Sequence, residues 1–169
     1  RRLVAVTSVF ADANPDDMLG RRMAIEAHWA LGTTLLGVGG RTKEALAELD
    51  RAAALLPVLL EFEPDDEGAR RTQRIVLAAQ AQALAMAGRF AEGVALLRGQ
   101  LDINAREAEA PGARPELVRS QAVTLAMLAD LYADNNAPRE ACPLYAKVET
   151  ILTGLEQRGL LSQLDRDSS

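Results

Sequence analysis

Cysteine, histidine and tryptophan each occur once in this 169-residue chain, and aromatic residues make up only 4% of it. A single cysteine, Cys142, excludes an intrachain disulfide. Together with the single histidine, His28, it supplies too few ligands for a His/Cys metal site. No apolar run approaches the ~20 residues of a membrane span. Positive charge is not in surplus: 19 Lys and Arg stand against 24 Asp and Glu, a net charge of −5. Nucleic-acid binding needs a clustered basic face. The densest basic group, Arg70, Arg71 and Arg74, directly follows the acidic stretch EFEPDDEG and reads as a solvated helix start.

No secretory signal pattern is visible. The chain opens Arg1-Arg2-Leu3 inside a helical stripe, so it reads as part of a longer protein whose targeting and catalytic segments lie elsewhere. A cytoplasmic location is expected; the alternative is a periplasmic segment of a single-pass membrane protein.

What the chain does have is Ala and Leu, within an apolar content of 49%. These are strong helix formers, and the scarcity of residues suited to strands makes the expected fold all-α. Three stretches resemble one another: Gly40-Arg41-Thr42-Lys43-Glu44-Ala45, Gly88-Arg89-Phe90-Ala91-Glu92-Gly93 and Asn136-Ala137-Pro138-Arg139-Glu140-Ala141. The small residue after the glutamate falls at 45, 93 and 141, a spacing of 48 residues repeated. A fixed period of this size signals a repeat architecture.

Apolar spacing and breakers divide the chain accordingly. Leu3, Val4, Val6, Val9 and Phe10 predict a leading helix over 1–14, stopped at Asn14-Pro15. A first helix is predicted from Asp17 to Val38, closed by Gly39-Gly40. A second runs from Thr42, as N-cap, to the region of Pro57 or slightly beyond it, and a third over Asp66–Ala87. The fourth carries Phe90, Val94, Leu97 and Leu101 at helical spacing. The loop around Pro111, Gly112 and Pro115 precedes a fifth over Glu116–Asp134, and Asn135-Asn136 leads into a sixth from Pro138 to about Arg158. The result is one domain: repeats over 17–64, 65–112 and 115–160, with a frayed tail over 161–169.

These residues resemble the tetratricopeptide repeat (TPR) family. Trp29, Leu36, Gly40, Ala45, Leu49, Ala52 and Pro57 match its pattern in the first pair. Leu77, Ala81, Leu84, Gly88, Phe90, Gly93 and Leu97 match it in the second, and Leu125, Leu128, Ala129, Tyr132, Ala141 and Tyr145 in the third. The resemblance covers about Glu26 to Leu155 and implies a right-handed solenoid of three helix pairs behind the leading helix. The family's repeat is about 34 residues, so longer helices and loops must absorb the difference here. A second resemblance, of VTSVFADANPDDMLGRRM and EACPLYAKVETILTGLEQRGLLSQLDRD, is to the C-terminal TPR regions of bacterial serine/threonine kinases. None of the kinase motifs themselves occurs.

No constellation for catalysis stands out, and the segment is expected not to be an enzyme. His28 is expected to be a partly exposed helix residue with no spacing that supports a carboxylate partner. Cys142 reads as a small buried hydrophobe, and Trp29, Tyr132 and Tyr145 as core. Asp65-Asp66-Glu67 and Asp16-Asp17 read as helix starts and lack the alternating ligands of a calcium loop. No metal or cofactor is expected.

The resemblance implies that the first helix of each pair lines a concave surface. Its residues would be Thr34 and Val38 in the first pair, with Ala27 and Ala30. Ile75, Gln82 and Met86 follow in the second pair, and Val123, Met127, Asp130 and Asp134 in the third. The face has almost no cations, which excludes the carboxylate-clamp ligands of TPR co-chaperones. It suits an amphipathic helix or extended apolar segment with a basic end. The expected function is non-catalytic binding of a protein or peptide, in a regulatory region of a larger bacterial signalling protein. The alternatives are a structural or oligomerisation module with a self-filled groove, including a homodimer, and a small-molecule sensor.

Overall fold

The computed structural model describes residues 17–161 together with Val4, Val9 and Asn14. The expected leading helix over 1–14 and the tail from 162 onward therefore lie outside the described residues, those three positions apart. The described residues form six α-helices and no strand: α1 Met18–Val38, α2 Thr42–Phe62, α3 Glu67–Met86, α4 Phe90–Glu109, α5 Pro115–Asp134 and α6 Pro138–Gln157. The chain divides into two compact units, residues 1–93 and 94–169, the division falling inside α4 after Gly93.

In the first unit, the Asp17 carboxylate caps α1 by accepting from the backbone N–H groups of Leu19 and Gly20 at 3.0 and 3.2 Å. Two donors left unpaired by the helix start are thereby satisfied. Gly39 and Gly40, at φ 73° and 66°, then turn the chain back through conformations an L side chain resists. The resulting hairpin presses Gly32 of α1 onto α2. A Cβ there would sit 2.7 Å from Leu49 Cγ and 3.2 Å from the Ala45 carbonyl. Ala45, the repeat's small anchor, is fully buried at this crossing.

Ile25, Ala52, Leu56, Leu59, Ala69 and Val76 form one core cluster joining α1, α2 and α3. Trp29 packs against that cluster and against a second, Leu49, Ala79 and Ala83. The end of α2, expected at or slightly beyond Pro57, falls at Phe62, with Pro57 inside the helix. Proline removes one backbone hydrogen bond, but Leu56 and Leu59 on either side are buried, and that packing carries the helix through. Thr42 is the first helical residue and not the cap; Arg41 holds the cap position without a side-chain bond to the helix start. Instead Arg41 Nε donates to Glu44 at 2.9 Å, and Arg89 Nε to Glu92 at 2.7 Å, 48 residues later.

In the second unit, Pro115 and Pro138 open α5 and α6 at the first helical position, where the missing N–H costs nothing. Asn136 takes φ 55° between them. Its N–H donates to the Ala133 carbonyl at 3.0 Å and that of Ala137 to the Tyr132 carbonyl at 2.9 Å. Gly88 and Arg89 close α3 with the same pair of bonds, to Ala85 and Leu84. This is the glycine-type helix stop, built once with asparagine. The unit's buried residues include Leu97, Leu125, Leu128, Ala129, Tyr132, Ala141 and Leu155. A buried polar chain joins α4 to α5: Gln100 Nε2 donates to Asn104 Oδ1 at 2.8 Å, and Asn104 Nδ2 to Thr124 Oγ1 at 2.7 Å.

Candidate partner-binding surfaces

The first helix of each pair exposes the same register positions. Thr34, Gln82 and Asp130 are equivalent at the 48-residue spacing, and all three are exposed. Four residues on, Val38, Met86 and Asp134 are exposed as well, Val38 at 69% and Met86 at 52%. Four residues apart on a helix is one face. Ile75, Val123 and Met127 are half-buried. Ala27, expected on the same surface, is buried at 5% exposure. The Thr34 hydroxyl donates to its own helix, to the Ala30 carbonyl at 2.7 Å.

In the first unit this face is mixed: polar Thr34 with apolar Val38 on α1, and polar Gln82 with apolar Ile75 and Met86 on α3. In the second unit it is acidic. Val123, Met127, Asp130 and Asp134 share one arc of α5, and the acids occupy its last turns. Asp130 is already engaged, since the Tyr145 hydroxyl of α6 donates to its Oδ1 at 2.6 Å. This corrects the expectation that Tyr145 is core, for it is 40% exposed. Its equivalents Leu49 and Leu97 are buried at 0% and 1%. Leu49 is covered by Ala79 and Ala83 of α3, whereas no described helix follows α6. The hydrogen bond to Asp130, with burial and the charges of Asp130, Asp134 and Cys142, pushes the Tyr145 phenol up to about 12. At neutral pH the surface thus presents a neutral phenol held against a carboxylate.

Two further expectations are overturned. Cys142 is exposed and not a buried hydrophobe. It follows the buried Ala141, and one residue along a helix turns the side chain by about 100°, out of the crossing. His28 is buried at 4% exposure and has a carboxylate partner, its Nδ1 lying 2.7 Å from Glu48 Oε2. Glu48 also accepts from Arg51 Nη1 at 2.9 Å. The signal for this pair was the hairpin itself: folding at Gly39-Gly40 brings residues on either side of the turn together, though they are 20 apart in sequence.

His28 is enclosed in the α1–α2 hairpin, its Nδ1 held against Glu48. Among the described residues, no three His, Cys, Asp or Glu side chains are grouped to hold a metal ion. None of the described helices is long and apolar enough to cross a membrane. No family model, curated protein or solved structure matches this chain.

Proposed function

We propose that the chain is a TPR-like helical repeat of three pairs whose first helices bind a protein or peptide without catalysis. The observation that carries this reading is the shared exposure of Thr34, Gln82 and Asp130 and of Val38, Met86 and Asp134. None of the six is buried, so each is within reach of a partner. Apolar Val38 and Met86 suit the apolar face of a helix or extended segment, and thioether side chains adapt to varied shapes. In the second unit, taken by itself, the exposed Asp130 and Asp134 suit a basic segment. The resemblance to kinase-associated repeats extends the proposal to a regulatory region of a larger bacterial signalling chain.

The test is capture of a partner from the source cell's lysate, with an Asp130→Lys/Asp134→Lys double variant alongside. The expected outcome is one identified protein retained by the parent and lost from the variant. Equal retention by both places recognition elsewhere and rejects the proposed face.

A further inference from the structure

The second unit carries a groove on the other side of α5. It is lined by Leu101, Asp102 and Ala105 of α4, Gln121 and Leu125 of α5, and Lys147, Thr150 and Ile151 of α6. Its volume is about 370 Å³. At 100° per residue, Gln121 and Leu125 lie roughly 180° around α5 from the arc of Val123, Met127, Asp130 and Asp134. The groove is thus a separate surface from the one proposed above.

Its chemistry is specific. Leu101, Ala105, Leu125 and Ile151 make an apolar centre. Asp102 of α4 and Lys147 of α6, both exposed, line it from different helices, and neither has an ion-pair partner among the described residues. The half-buried Gln121 carboxamide, a donor and an acceptor, has no hydrogen-bond partner among them either. An apolar centre with a few converging polar groups is the ordinary composition of a recognition site.

We infer that this groove binds an extended segment of a partner protein. One aliphatic side chain of the segment enters the apolar centre, flanked by a basic residue toward Asp102 and an acidic residue toward Lys147. Gln121 pairs with the segment's backbone amide, which an extended strand leaves free and a helix does not. Opposite charges on the two helices select against segments carrying a single sign of charge.

The probe is the peptide Ac-Lys-Ala-Leu-Ala-Glu-NH₂, titrated into the ¹⁵N-labelled chain while amide shifts are followed by NMR. The expected result is saturable shifts confined to residues around Gln121, Lys147 and Asp102. The Glu-Ala-Leu-Ala-Glu analogue should bind at least about threefold more weakly, the scale of one exposed ion pair. The Asp102→Lys variant should reverse that order. Gln121→Ala should weaken both peptides, and the Asp130→Lys/Asp134→Lys variant should leave binding unchanged. Asp102 is exposed, and an unchanged helical circular dichroism spectrum verifies that its variant folds. Absence of saturable shifts, equal affinity for the two peptides, or shifts centred on Asp130 would each overturn the inference.

Discussion

At the scale of single residues, the groups that sequence reading misjudged are those whose environment comes from a neighbouring helix. Tyr145 shows this most directly. Its repeat position is apolar and buried in the first two pairs, yet in the third it is an exposed phenol donating to Asp130. Ionising that phenol would place a second negative charge against Asp130 and Asp134, so the neutral form is held up to about pH 12. The folded value lies above the unfolded one of about 10. The interaction therefore contributes fully below the unfolded value and fades as pH rises through the folded one. Tyrosinate absorbance, recorded for the parent and for Tyr145→Phe, should isolate one phenol titrating near that high value. Asp130→Asn should bring it back toward the ordinary range. A difference titration unchanged by Asp130→Asn would remove the hydrogen bond from this account.

At the scale of elements, helix stops and helix crossings are set by different residues of the three similar turn segments. Gly88 and Asn136 supply a positive φ, whereas Ala45, Gly93 and Ala141 supply absence of bulk. Gly93 is the tightest case: a Cβ built there would lie 2.6 Å from the Ala81 carbonyl oxygen. Backbone cannot retreat as a flexible side chain can, so Gly93→Ala should cost about 1–3 kcal/mol through overpacking. Gly99, six residues along the same helix, has nothing within 4 Å of its Cβ position. There Gly99→Ala should stabilise α4 by up to about 1 kcal/mol through helix propensity. Thermal unfolding of the two variants should shift in opposite directions. A shared direction would mean that helix propensity and not the crossing governs this helix.

At the scale of the whole molecule, charge ties separate elements together as well as apolar burial does. Arg22 of α1 pairs with Glu63 and with Asp66, which caps α3 by accepting from the Ala69 N–H at 2.6 Å. The Ala69 N–H first, and Arg22 second, hold the Asp66 carboxyl below its ordinary range. Its contribution is therefore complete above the unfolded carboxylate value and is lost as pH falls through the depressed folded one. Asp66→Asn should flatten the acid limb of the stability–pH curve and leave its alkaline limb in place. Urea unfolding at a series of pH values measures both, and an unchanged acid limb would mean that other carboxylates govern acid unfolding. The sequence by itself determined the six helices, their turns and the period of 48 residues, because apolar spacing, glycine and asparagine act within a few residues of themselves. Only the tertiary structure decided that His28 meets Glu48, that Cys142 and Tyr145 face outward, that α2 passes through Pro57, and that an uncommitted amide, acid and base surround one groove. Each of those depends on which side chains a neighbouring helix brings within a few ångströms, and that is a property of packing between segments far apart in the chain.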